Sequence, residues 1–168
     1  MNVMMEVIID KVTANIGVGA PGDRLEYAKE LLNRLTKSKA IETTAKRREP
    51  VFKLRKGLPI GTKVTLRGKR AAEFLDKALT ANRRLLKAEN FDKLGNFAFG
   101  VAEYIDFPGA NYNPEAGMFG FDVCVTLKRK GERVCRRKIM RSKIGKKHRI
   151  TKEEAIQFVR EKLNAKIE

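Results

Sequence analysis

The stretch KVTANIGV, residues 11 to 18, alternates between polar and apolar side chains. The polar positions include Lys11, Thr13 and Asn15, and the apolar positions between and after them are Val12, Ala14, Ile16 and Val18. Because successive side chains of a β-strand point to opposite faces of its sheet, this alternation predicts a strand with one buried face and one polar, basic face. We therefore expect a sheet that packs on a core on one side and is open to a polar partner on the other.

The segments that follow predict helices that cover the buried face. After a glycine-rich turn, Asp23 and Glu26 resemble a capping box, and the leucines behind them recur at helical spacing. Residues 36–67 predict a strand, a basic loop and a second strand with the same alternation of polar and apolar side chains. A second helix is predicted from about Lys69 to Lys87.

The second half of the chain predicts further strands and one more helix. Alternating apolar residues mark strands in segments 97–101 and 121–127, and the loop FPGANYNPEAGMFG between them should be irregular. Gly131, in KRKGER, predicts a hairpin turn into a returning strand that carries the basic run CRRKIMR. The last helix should begin at Thr151, which with Glu154 forms a T-x-x-E capping box.

Together these elements predict a single domain over residues 1–168, with a basic hairpin and a C-terminal helix at about 128–168. Strands joined by hairpins and interrupted by helices are typical of the α+β class. We expect a largely antiparallel sheet with helices packed on one face. The other face is left free for RNA.

The charge of the chain favours a polyanionic partner. Its 168 residues carry 37 Lys and Arg against 20 Asp and Glu, a net charge of +17 that repels itself unless it is neutralised. A membrane surface is the weaker candidate, because the basic residues lie in predicted strands and loops and not along one face of an amphipathic helix. The apolar opening, residues 3–9, is interrupted by Glu6 and lacks a basic leader, so we expect a cytoplasmic protein without membrane contact.

Few residues suit catalysis or metal binding. Cys124, Cys135 and the single His148 include no closely spaced ligand pair, so no metal site is predicted. We interpret the two cysteines as reduced, half-buried strand thiols. Ser38 and Ser142 lie outside any G-x-S-x-G motif. We therefore expect no cofactor and no enzymatic activity.

One glycine motif leaves an alternative open. GVGAPG, residues 17–22, fits the G-x-G-x-x-G pattern of dinucleotide-binding turns, and Glu42 follows about 20 residues later. The preceding strand alternates, however, whereas the central parallel strand of such a fold is apolar on both faces. An RNA-modifying enzyme with a cofactor at this turn is one alternative function. A packaging protein that binds DNA and RNA alike is another.

Two basic segments carry the strongest functional signal. The first, residues 46–56, is a predicted loop with Phe52 available for stacking, and its like charges predict that it is mobile in the free protein. The second, residues 128–149, contains twelve basic residues against Glu132 alone. Such a segment suits contacts with RNA phosphates, while hydrogen bonds from the polar sheet face supply specificity.

Four motifs extend this interpretation to a family. NIGVG (15–19), RKGLPIGTKVTLRG (55–68), GNFAFG (95–100) and SKIGKKHRITKEEAI (142–156) resemble large-subunit ribosomal protein five, the 5S rRNA-binding protein of the central protuberance, in its archaeal and eukaryotic form. The resemblance implies a structural constituent of the large ribosomal subunit whose sheet face holds 5S rRNA and whose basic loop reaches the P-site tRNA. It also implies contacts with 23S-type rRNA, a neighbouring 5S-binding ribosomal protein and a small-subunit protein at the intersubunit bridge.

The polar pattern and the resemblance together assign residues to three sets. Binding of 5S rRNA is predicted for Lys11, Thr13, Asn15, Thr44, Lys46, Lys63 and Thr65. Contact with tRNA is predicted for the loop residues Arg47, Arg48, Phe52, Lys53 and Arg55. Further rRNA binding is predicted for Arg129, Lys130, Arg133, Arg136, Arg137, Lys138, Arg141, Lys143, Lys146, Lys147 and Arg149.

Overall fold

The computed structural model of the chain describes residues 2–114 and 117–168. The strands in these residues are β1 (Val7–Gly17), β2 (Ile41–Thr44), β3 (Pro59–Leu66), β4 (Leu85–Leu86), β5 (Phe97–Val101), β6 (Phe121–Arg129) and β7 (Lys166–Ile167). The helices are α1 (Asp23–Thr36), α2 (Lys69–Ala81), α3 (Arg133–Arg136) and α4 (Lys152–Leu163). Five strands form one antiparallel sheet in the order β2-β3-β1-β6-β5, and β4 pairs with β7 separately.

The stretch KVTANIGV lies in the central strand β1, which is hydrogen-bonded to β3 on one side and to β6 on the other. Val12, Ala14 and Ile16 are fully buried, and every second residue of β5 and β6 is buried as well. Helices α1 and α2 cover this face, where they pack on β3 and β1. The predicted α+β class, with helices on one face of a largely antiparallel sheet, is confirmed.

Helix α1 begins differently from the prediction. Its N-cap is Gly22, with φ 130° and ψ −170°, and this residue has no side chain that could cap the helix. The predicted capping box of Asp23 and Glu26 is therefore wrong. Both acidic residues lie in the first helical turn instead, where the positive end of the helix dipole favours a negative charge.

Helix α2 ends at Ala81, well before the predicted end at Lys87. Arg83 and Arg84 adopt positive φ angles of 54° and 55°, which a right-handed helix does not accommodate. The chain then turns so that β4 pairs in parallel with β7. The prediction was wrong here because the leucines of β4 happen to continue the helical period of α2.

The returning strand predicted after Gly131 does not occur in the part of the chain that the structure describes. Strand β6 is already paired with β1 along one edge and with β5 along the other, so it has no free edge for a further strand. The chain forms the one-turn helix α3 instead, which contains the half-buried Cys135. Cys124 lies on β6 and is exposed, so the interpretation of both cysteines as half-buried strand thiols is wrong.

Helix α4 begins as predicted. Thr151 Oγ1 accepts a hydrogen bond from Glu154 N at 3.4 Å, and Glu154 Oε2 accepts one from Thr151 N at 3.1 Å. The T-x-x-E capping box is therefore confirmed. Neither α4 nor any other helix among the described residues is long and apolar enough to cross a membrane.

Candidate nucleic-acid interface

The polar sheet face unites residues that are far apart in the sequence. Antiparallel pairing places Thr13 opposite Thr65, and it places Asn15 between Lys63 on β3 and Asp122 on β6. Lys63 and Thr65 are exposed, whereas the residues of the central strand are half-buried between their neighbours. The five residues predicted from alternation therefore share one face: Lys11, Thr13, Asn15, Lys63 and Thr65.

This face combines hydrogen-bonding groups with a low profile. Threonine hydroxyls and the asparagine amide can each donate and accept hydrogen bonds. At the β5 edge of the sheet, the exposed positions are occupied by Ala98 and Gly100, which add little height. A flat surface with such groups can approach the bases and 2′-hydroxyls of an irregular RNA closely.

The basic loop between β2 and β3 is folded into a small hairpin. Glu49 and Leu54 exchange two backbone hydrogen bonds of 3.0 Å. At the tip, Val51 and Phe52 are 80% and 72% exposed. The predicted RNA-contacting residues of this region are all exposed, namely Thr44, Lys46, Arg47, Arg48, Phe52, Lys53 and Arg55. The sequence analysis missed Val51, although an apolar residue in a basic loop was an available signal, and the mobility of the free loop stays a prediction.

Most of the basic segment 128–149 lies on the surface. It contains α3 and a 3-10 turn at Lys146–His148 and is otherwise irregular. His148 Nε2 lies 2.9 Å from the carbonyl oxygen of Lys130, which holds the 3-10 turn near the end of β6. The exposed basic residues are Arg133, Arg136, Arg137, Lys138, Arg141, Lys143, Lys146, Lys147 and Arg149, and Lys130 is half-buried.

Arg129 differs from the rest of this segment. Its side chain is 5% exposed and donates to Glu154 Oε1 at 2.5 Å and to Met5 Sδ at 3.1 Å. Burial of Glu154 would raise its pKa, but hydrogen bonds from Thr151 and Arg129 outweigh burial and lower that pKa. Arg129 therefore ties β6 to the start of α4 and has little surface to offer to RNA.

Asp10 forms a cluster that the sequence analysis missed. Its carboxylate accepts hydrogen bonds from Lys128 Nζ at 2.5 Å, from Arg136 Nη1 at 2.8 Å and from Arg67 Nη1 at 3.4 Å. The Asp10 side chain is 1% exposed, whereas those of Lys128, Arg136 and Arg67 are 30%, 45% and 60% exposed. We call these four residues the Asp10 cluster.

The carboxyl group of Asp10 is ionised at neutral pH. Burial alone would raise its pKa, but the hydrogen bonds and charges of Lys128 and Arg136 outweigh burial and lower the pKa from 3.8 to about 2. Asp10 lies at a bulge, where the pairing of β1 with β6 shifts register between Ile9 and Lys11. An acidic residue in the apolar run VIID was the available signal, but hydrophobic periodicity does not reveal a bulge.

The glycine motif GVGAPG lacks the surroundings of a dinucleotide site. Strand β1, which precedes it, is antiparallel to both of its neighbours, whereas such a site lies among parallel strands. Glu42 forms an ion pair with Lys29 at 2.6 Å. Among the described residues, no group of three or more His, Cys, Asp or Glu side chains could hold a metal ion.

Comparisons with known proteins cover nearly the whole chain. Residues 2–55 match the family described as Ribosomal protein L5, and residues 59–158 match the family that describes the C-terminus of the same ribosomal protein. The Large ribosomal subunit protein uL5 of Methanococcus maripaludis (strain C6) is 50% identical over 162 residues, which are 95% of this chain and 90% of that protein. Proteins of the same name from Sulfurisphaera tokodaii and Sulfolobus acidocaldarius are 49% and 48% identical over 99% of this chain, and the matches cover 95% and 93% of their own lengths.

Proposed function

Because this chain belongs to the uL5 family and is a structural constituent of the large ribosomal subunit, we propose that its polar sheet face binds 5S rRNA. This binding helps to attach 5S rRNA to the subunit at the central protuberance. Family membership confirms the predicted ribosomal family in its archaeal form, the location in the large subunit and the absence of an enzymatic role.

The observation that carries the proposal is the pairing register of β1 with β3. It aligns Thr13 with Thr65 and Asn15 with Lys63 on a face that α1 and α2 leave uncovered. Hydroxyl, amide and ammonium groups in fixed positions match the mixture of bases, 2′-hydroxyls and phosphates that an irregular RNA presents. Thr44 and Lys46, exposed where β2 runs into the loop, extend this surface.

The hairpin between β2 and β3 contacts the P-site tRNA in this proposal. Its basic side chains attract the phosphate backbone, and the exposed Val51 and Phe52 present apolar surface at the tip. An aromatic ring that projects from a basic hairpin is suited to stack on an exposed base or base pair. Arg47, Arg48, Lys53 and Arg55 complete the proposed tRNA-contacting set.

The exposed basic residues of segment 128–149 bind further rRNA of the 23S type. Their number and irregular arrangement suit phosphate contacts that hold the protein in place without reading sequence. Arg129 supports this surface from within through its contact with Glu154. A neighbouring 5S-binding ribosomal protein and a small-subunit protein at the intersubunit bridge are further partners, which we propose from the family resemblance.

Binding of the purified protein to 5S rRNA and to an unrelated RNA of equal length, measured across a salt series, tests the proposal. With about six phosphate contacts, affinity should fall about 10³-fold between about 50 and 200 mM salt. A preference for 5S rRNA that persists at the higher salt is the expected result. Equal binding of both RNAs that weakens in parallel would show that charge alone acts and would favour a packaging protein.

Two variants locate the binding face. Thr65→Val removes one hydroxyl at nearly constant volume, and Asn15→Ala removes the amide. Each should weaken 5S rRNA binding by about threefold to tenfold, the range for one net hydrogen bond, with little effect on the unrelated RNA. Thr80→Val is the matched control, because Thr80 lies on α2 and its hydroxyl bonds to Asp76 O. An equal loss in the control would exclude the polar sheet face as the site.

A further inference from the structure

The Asp10 cluster joins four parts of the chain at one end of the polar sheet face. Asp10 belongs to β1, Lys128 to β6 and Arg136 to α3, and Arg67 directly follows β3. Lys128 is on the same side of β6 as Asp122, so the cluster continues the polar face. A single buried carboxylate thus holds cations from three other segments in a fixed arrangement.

The three cations keep hydrogen-bond donors that the protein does not use. A lysine ammonium group has three N–H donors and a guanidinium group has five. Arg136 donates to Asp10 through Nη1 and to Glu132 through Nη2 at 2.9 Å, and Lys128 and Arg67 each make one contact with Asp10. All three side chains are partly exposed, so their remaining donors are accessible to a ligand.

The cluster stays positive after this internal pairing. Three cations against the carboxylates of Asp10 and Glu132 leave one net positive charge. Several N–H donors around a net positive charge are the recognition chemistry of a phosphate group. The position next to the Lys11 and Thr126 pair of the β1–β6 register places these donors beside the proposed RNA-binding face.

We propose that Arg67, Lys128 and Arg136, held together by Asp10, form a binding site for one phosphate group of the RNA backbone. The site deepens the proposed 5S rRNA binding, on which it rests, because it gives the strand that crosses the polar sheet face one fixed phosphate position. Asp10 is a positioning residue that acts through the three cations. Without it, three long side chains would have to be ordered when RNA binds.

An Asp10→Asn variant separates positioning from charge, because the two effects have opposite signs. Removal of a negative charge from an RNA-binding surface strengthens binding if only net charge matters. Loss of positioning weakens it, by about tenfold if three side chains each lose part of their order. Asp122→Asn is the matched control, since Asp122 is exposed on the same face and pairs with no cation among the described residues.

Affinity of both variants for 5S rRNA, measured across the same salt series, gives the test. Asp10→Asn should bind about tenfold more weakly than the wild type, with a salt slope smaller by about one, while Asp122→Asn binds equally or more tightly. Binding by Asp10→Asn that equals or exceeds that of the wild type would overturn the proposal. An equal loss in both variants would overturn it as well.

A second pair of variants decides the question if Asp10→Asn is unfolded at the assay temperature, as judged by circular dichroism. Arg136→Met and Arg133→Met each remove one positive charge from α3, but Arg133 forms no ion pair with any described residue. Arg136→Met should weaken binding at least about threefold more than Arg133→Met, because it removes a preordered donor. Equal losses would refute the phosphate site.

Failure of the site and failure of the proposed function give different results. If the wild type shows no preference for 5S rRNA, the proposed function fails, whatever the variants do. If the wild type prefers 5S rRNA but Asp10→Asn binds as tightly as the wild type, the function stands and the phosphate site fails.

Discussion

Acid should destabilise the fold through Asp10 in a pH range that the structure defines. The carboxyl group has a pKa of about 2 in the folded protein and an ordinary value of 3.8. Because the folded-state pKa is the lower one, ionised Asp10 stabilises the fold above about pH 4, and this stabilisation is lost as the pH falls through 2. At about 1.36 kcal/mol per pKa unit, the contribution to the free energy of unfolding is about 2 kcal/mol.

Urea unfolding of the wild type and of Asp10→Asn at several pH values between 7 and 2 measures this contribution. Far-ultraviolet circular dichroism is a suitable signal, because the chain contains no tryptophan. The difference in unfolding free energy between the two proteins should be about 2 kcal/mol at neutral pH and should approach zero near pH 2. Comparison with the variant cancels the titration of the other carboxylates, including Glu6 and Glu154, whose pKa values are also lowered.

A difference that stays constant from pH 7 to pH 2 would refute this reasoning, because a loss of packing does not depend on the ionisation of Asp10. A negligible difference at neutral pH would also refute it. Asp122→Asn, which changes an exposed carboxylate on the same face, should differ from the wild type by less than about 0.5 kcal/mol across the range.

Three further changes test other parts of the structure. Thr151→Ala should lower the free energy of unfolding by about 1 kcal/mol, because it removes one half of the capping box of α4, and a change within error in urea unfolding would contradict this role. Gly61→Ala should cost about 1 to 3 kcal/mol, because the added Cβ would lie 2.7 Å from Ile16 O and 2.9 Å from Thr43 Oγ1, whereas the control Gly145→Ala, with open space around it, should be nearly neutral in the same assay. Phe52→Ala should weaken tRNA binding by about 1 to 3 kcal/mol and leave 5S rRNA binding and stability unchanged, and equal losses for both RNAs would argue against a separate tRNA contact.

Local patterns in the sequence were sufficient for the two layers of the fold. Alternation in KVTANIGV depends only on the pleat of a strand, so the buried and polar faces of β1 followed directly from it. The capping box at Thr151 is equally local, since its two hydrogen bonds span three residues. The net charge of +17 and the family motifs determined the class of partner in the same way.

Long-range pairing determined what local patterns did not reveal. Strand β6 has a partner along each edge, which excluded the predicted returning strand, and β7 captured the leucines that had extended the predicted α2. Asp10 meets Arg67 and Lys128 across sequence separations of 57 and 118 residues. The sequence by itself thus determined the strand faces, the charge and the family. Only the tertiary structure decided which cations surround Asp10, because strand order and a bulge in register set those contacts, and neither follows from the periodicity of a single segment.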